Sequence, residues 1–145
     1  MEAQDIVYCR GHPLVLGSHP TTFEVTREDH LSTHGNCIVG IGADKGCNDL
    51  SPAFKQVIAH DDAILITRLS CGEITAEISS RGSSLMTLDH PTDMVWRRSS
   101  FVCGRTIGVF SDFVAETLPR SLIMNLIKER EMTVCLTARR PGKGS

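Results

Sequence analysis

The chain has 145 residues, 41% of them apolar and 22% charged, with a net charge of −2. These values exclude a disordered chain and argue against a general nucleic-acid binder, which would be basic. One domain spanning residues 1–145 is expected, long enough to bury a core without staples.

No run reaches the roughly eighteen apolar residues a membrane span needs. The start, MEAQDIVYC, lacks the basic and then apolar plan of an export signal, so a cytoplasmic setting is expected. The six cysteines contain no C-x-x-C pair; buried thiols are expected rather than disulfides or structural zinc. Charge is uneven: residues 1–72 carry five Lys/Arg and nine Asp/Glu, whereas 73–145 carry ten and eight. The mildly basic second half permits a local anion site.

Asp5 to Cys9 is β-branched and aromatic and reads as a strand. Arg10-Gly11 punctuates it, the glycine calling for positive φ or close backbone approach. Leu14 to Leu16 reads as a short second strand, closed by Gly17-Ser18-His19-Pro20. Thr21 to Thr26 alternates, with Phe23 and Val25 on one face and Thr22, Glu24 and Thr26 on the other, the pattern of a half-buried strand. An apolar run, Cys37 to Ala43, follows a Gly35-Asn36 turn. Ser51-Pro52 has the form of a helix start, and Phe54, Val57 and Ile58 give a short helix its apolar face, ending near His60. Ala63 to Leu69 and Glu73 to Ser79 form a hairpin about Ser70-Cys71-Gly72.

At Arg81 the programme repeats. Arg81 to Arg98 (RGSSLMTLDHPTDMVWRR) matches Arg10 to Arg27 (RGHPLVLGSHPTTFEVTR) at seven of eighteen positions, where composition alone would give about one. The offset is 71 through this segment and 68 beyond it, where Gly40/Gly108, Asp44/Asp112 and Leu50/Leu118 coincide. The pattern therefore predicts two repeats, about 4–70 and 73–138. The second has strands at Leu85–Leu88 and Asp93–Arg97, a helix over Leu122–Lys128 and a last strand over Met132–Ala138. Residues 139–145 read as a frayed tail. Many short strands with Gly/Pro corners point to a mainly β sandwich or barrel, two short helices capping its ends and the halves related by a pseudo-two-fold axis.

The blocks RGHP, HPTTFEVT, GNCIVGIGADKGCNDL, LDHPTDMVWRRSSFVCGRT and LPRSL, in this order, resemble the archaeal family catalogued as domain of unknown function 371. The resemblance covers nearly the whole chain. It implies a jelly-roll-like β-sandwich with helical additions in an archaeal cytoplasm, and it implies no activity. Phe110-Ser111-Asp112-Phe113 departs from the family pattern.

Three functional readings follow. Arg97, Arg98 and Arg105, with the Ser99 and Thr106 hydroxyls, form a candidate grip for a small anionic or phosphate-bearing ligand, since guanidinium forks pair bidentately with such groups. Trp96 would stack a base if exposed and serves the core if not. The alternative is a metal-dependent, hydrolase-like enzyme holding a divalent metal through His12, His19 and His90, with Asp44 in support. Against it, His19 and His90 recur in both copies and so fit a shared role at the corners, bonding groups left unpaired there. His30 and His34 have helical ligand spacing but read as loop, and nothing places a histidine beside Cys47 to make it a nucleophile. The third reading is an interaction module, with edge strands that invite a homodimer.

Overall fold

A computed structural model describes residues 1–31 and 35–141; His34 and the end of the expected tail lie outside the described residues. Among the described residues eight strands form: β1 (Glu2–Arg10), β2 (Thr22–Thr26), β3 (Ile38–Gly40), β4 (Ile64–Cys71), β5 (Ile74–Arg81), β6 (Asp93–Arg97), β7 (Thr106–Gly108) and β8 (Glu131–Arg139). Two helices, α1 (Pro52–Ile58) and α2 (Arg120–Ile127), each follow a short 3-10 turn.

The strands make two four-stranded sheets, ordered β1-β8-β4-β5 and β3-β2-β6-β7. Single antiparallel bridges, Arg10 to Ile41 and Arg81 to Val109, join each edge of one sheet to an edge of the other. The strands thus close into a ring. Beside each bridge an aspartate occupies the outer edge of the long sheet. Asp44 donates its N–H to the Tyr8 carbonyl and accepts the Tyr8 N–H at 2.9 Å, and Asp112 does the same for Ser79. The edges from which a homodimer was expected are therefore engaged internally at these positions.

Two parallel pairs, β2 with β3 and β6 with β7, depart from the antiparallel wiring of a jelly roll. Their registers correspond: Glu24 faces Ile38 and Val25 faces Gly40, while Val95 faces Thr106 and Trp96 faces Gly108.

Alternation sends Leu65, Leu69, Val134, Leu136, Phe23, Val25, Met94 and Trp96 into one core. Trp96 stacks on Phe23 with centroids 4.5 Å apart, and its Nε1–H donates across the sheets to Thr67 Oγ1 at 2.8 Å. Trp96 is a core residue and offers no face to a base.

Helix α1 begins as its sequence suggests, Ser51 Oγ accepting from the Phe54 N–H with Pro52 at the first position. Helix α2 has no such side-chain cap. Its first residue, Arg120, instead donates to the carbonyls of Gly17, Ala115, Glu116 and Leu118, tying helix, 3-10 turn and first corner together.

The strands expected at Leu14–Leu16 and Leu85–Leu88 do not form. Leu14, Leu16 and Leu85 are exposed, whereas Val15 and Met86 are buried. Each segment is a turn, Val15 N–H bonding the His12 carbonyl and Met86 N–H the Ser83 carbonyl. An apolar segment without a neighbouring strand has nothing to complete a ladder, so it is anchored by single side chains, Val15 in the first and Met86 and Leu88 in the second, while the leucines beside them face out.

Candidate functional site

The outer face of the β3-β2-β6-β7 sheet gathers Glu24, Asp93, Arg97 and Arg105. Alternation along β2 puts Thr22, Glu24 and Thr26 on this face, opposite Phe23 and Val25. The antiparallel register sets Thr22 against Arg97, Glu24 against Val95 and Thr26 against Asp93. Arg105 and Thr106 enter from the start of β7. The face was expected to be solvated, yet Glu24 and Thr26 are buried, at 7% and 3% exposure.

Asp93 is fully partnered. Its Oδ1 accepts from the Thr26 hydroxyl at 2.7 Å and the Thr92 hydroxyl at 2.9 Å, and its Oδ2 from Arg105 Nη1 at 3.1 Å. Glu24 is not: among the described residues its nearest cationic partner is the same Arg105 Nη1, at 3.8 Å, beyond hydrogen-bond reach. Burial first, then the Asp93 carboxylate, push the Glu24 carboxyl up to about 7, against the opposing pull of Arg105 and Arg97.

Arg97 is held by its Nε–H to Thr106 Oγ1 at 2.9 Å and by Nη2 to Cys103 Sγ at 3.4 Å. Its guanidinium carbon lies 4.9 Å from the centre of the exposed Phe101 ring. The fully buried Thr106 hydroxyl accepts from Arg97 and from the Cys103 N–H and donates to the Phe101 carbonyl at 3.5 Å. It braces the arginine and the thiol and has no capacity left for an anion.

Of the five residues expected to grip an anion, the fold thus brings Arg97, Arg105 and Thr106 together. Arg98 and Ser99 sit just past the end of β6 and are exposed. The Arg98 N–H bonds the Thr21 carbonyl, while Ser99 Oγ accepts from the Phe101 N–H at 3.3 Å.

The three histidines each serve a turn. His12 Nδ1 accepts from the Leu14 N–H, as Ser83 Oγ accepts from Leu85 in the corresponding turn. His19 Nδ1 accepts from the N–H groups of Thr21 and Thr22, and His90 Nδ1 from those of Thr92 and Asp93. The His19 carbonyl accepts from Glu116 and that of His90 from Asn48, so each corner docks on the 3-10 turn of the opposite half. Among the described residues no group of three His, Cys, Asp or Glu side chains is placed to hold a metal ion. Asp44 is committed to the β1 edge. Cys47 is wholly buried, and that burial pushes its thiol up to about 12, out of the range of a nucleophile.

Glu24, Asp93 and Cys103 escape a reading of the sequence by itself. Glu24 follows the alternation of a solvent-facing position, and Cys103 lies in a loop. The available signal was the comparison of copies: Val95 stands where Glu24 would recur, Thr22 where Asp93 would, and Cys37 where Arg105 would.

A family model described as "Domain of unknown function (DUF371)" matches residues 7–139. The chain is also similar to the uncharacterized protein MJ0206 of Methanocaldococcus jannaschii, with 35% identity over 127 residues, covering 88% of this chain and 93% of that one. Fold-wide matching of this extent, with the corner and strand blocks in order, means that the chain belongs to the DUF371 family.

Proposed function

We propose that this protein is a cytoplasmic binding module for a small anionic ligand carrying a phosphate or carboxylate, taken up beside Arg97 on the outer face of the β3-β2-β6-β7 sheet. The observation that carries the reading is the state of Arg97. Nε and Nη2 are fixed by Thr106 and Cys103, while Nη1 has no acceptor among the described residues, so an oriented guanidinium keeps one donor group available. With Arg105 the face has two guanidiniums against the Asp93 carboxylate and a Glu24 carboxyl that is half protonated near neutral pH. That balance attracts anions.

We further propose that the ring arose by duplication of a unit of about half the chain. The equivalent strand registers, bridges and corner bonds support this, as does the sequence repeat itself. The duplication accounts for the scaffold, and the unmatched residues Glu24, Asp93, Arg97 and Arg105 account for the site.

The test is thermal denaturation with inorganic phosphate, pyrophosphate and citrate, each titrated at constant ionic strength. A ligand present at a hundred times its Kd stabilises by about 2.7 kcal/mol. The wild type should show a saturable rise in Tm with at least one of these anions. Arg97→Gln should lose that rise while the protein still melts cooperatively. An undiminished rise in the variant would remove Arg97 from the site.

A further inference from the structure

Phe101 is held out to solvent by a loop that is itself tied down. Its N–H bonds Ser99 Oγ at 3.3 Å, and its carbonyl accepts from the buried Thr106 hydroxyl at 3.5 Å. Thr106 also closes the loop behind it, taking the Cys103 N–H on its hydroxyl and giving its own N–H to the Cys103 carbonyl. One face of the ring lies against the Arg97 guanidinium, whose carbon is 4.9 Å from the ring centre. Phe101 is nonetheless 59% exposed, which leaves the other face of the ring bare. An apolar ring fixed in place and left in water gains surface burial, at little cost in freedom, when a flat group settles on it.

Ring and cation form one unit. Thr106 and Cys103 orient Arg97 through Nε and Nη2, which leaves Nη1 for a ligand oxygen. The Asp93 carboxylate of the same sheet face is met by Arg105, at 3.1 Å, rather than by Arg97. The aromatic side chain that stands open beside this arginine is Phe101, not Trp96, whose ring is buried against Phe23.

Resting on the binding function proposed above, we infer that the ligand of this site is a free nucleotide, its base stacked on the open face of Phe101 and its phosphate on Arg97 Nη1. The guanidinium occupies one face of the ring and the base the other, so the ligand must carry its flat group and its anionic group about a sugar's length apart. Inorganic phosphate and citrate meet only the arginine. Every base has a π-face, so stacking admits purines and pyrimidines alike. The net charge of −2 favours a single nucleotide over a nucleic-acid chain.

The experiment is isothermal titration calorimetry of the native protein at constant ionic strength with adenosine monophosphate, cytidine monophosphate, adenosine and inorganic phosphate. Both nucleotides should bind about tenfold or more tightly than phosphate, and adenosine more weakly than its monophosphate. Phe101→Ala should bring the nucleotides down to the affinity of phosphate, with phosphate itself nearly unaffected because Thr106 and Cys103 still hold Arg97. Phe101→Tyr, which keeps a stacking face, should keep the gain.

Phosphate binding with nucleotides no tighter overturns the nucleotide and leaves the anion site standing. A nucleotide gain that survives in Phe101→Ala overturns the stacking platform. Adenosine as tight as its monophosphate, with both lost in Phe101→Ala, supports the platform and overturns the phosphate contact at Arg97. No binding of any of these compounds overturns both the nucleotide and the anion site.

Discussion

Glu24 and Val95 hold the same position in the two similar segments, and they are direct partners across the β2–β6 ladder. Around this pair the ladder is laid out alike in both directions, β2 running parallel to β3 as β6 does to β7. On the outer face the pair sets a buried carboxyl beside an isopropyl group. Similar backbone pairing thus carries different chemistry.

That asymmetry has a consequence for stability. The Glu24 carboxyl is raised from 4.5 to about 7 in the folded protein, so the native state holds a proton that the unfolded chain has released. Its contribution is fully present below about 4.5 and is lost as pH rises through about 7. Glu24→Gln removes this dependence. Between pH 5 and pH 8 the variant should gain on the wild type by up to about 3 kcal/mol, read from urea denaturation at both values. Parallel curves would show that Glu24 ionises as an ordinary carboxylate.

The Trp96–Thr67 hydrogen bond spans the core between the sheets. Thr67→Val keeps the shape and orphans the indole N–H, for an expected cost of about 1–3 kcal/mol. Trp96→Phe removes the donor and leaves a cavity. The double variant should therefore cost less than the sum of the two single ones, a coupling that a double-mutant cycle in urea measures directly.

Gly11 and Gly82 each pass so close to a helix end that a Cβ would collide with a carbonyl, that of Leu126 for Gly11 and of Ile58 for Gly82. The contact is with backbone, so no rotamer relieves it. Alanine at either position should destabilise by at least about 2 kcal/mol, with similar effects at the two sites. A calorimetric Tm within a degree of wild type would mean that the helices shift freely on the ring.

His90→Ala removes the acceptor for the Thr92 and Asp93 N–H groups and should cost about 1 kcal/mol. His90→Asn, which restores a side-chain oxygen near that place, should recover part of the loss. Added zinc should raise the Tm of the wild type and of His90→Ala equally if the histidine serves the corner; a rise confined to the wild type would make it a ligand.

Much of the scaffold was legible in local pattern. Alternation in Asp93–Arg97 marks β6 to the residue, Ser51-Pro52 marks the start of α1, and Gly72 marks the hairpin between β4 and β5. These signals depend on neighbours a few positions away. The Leu14–Leu16 and Leu85–Leu88 segments misled because apolar content predicts burial but not a pairing partner. The corner histidines were legible through their recurrence, which tied them to a path both copies share.

By itself, then, the sequence determined where the long strands and both helices run, where the chain turns between them, and that Arg81–Arg98 resembles Arg10–Arg27, because propensity, capping and periodicity act along the chain. Only the tertiary structure decided that β2 runs parallel to β3, that Glu24 is largely covered rather than solvated, and that Arg97 is held against Cys103. A carboxyl or a thiol takes its character from dielectric and partners, and those are supplied by residues far away in sequence. Arg105, 81 positions from Glu24, sets the chemistry of that carboxyl from across the sheet.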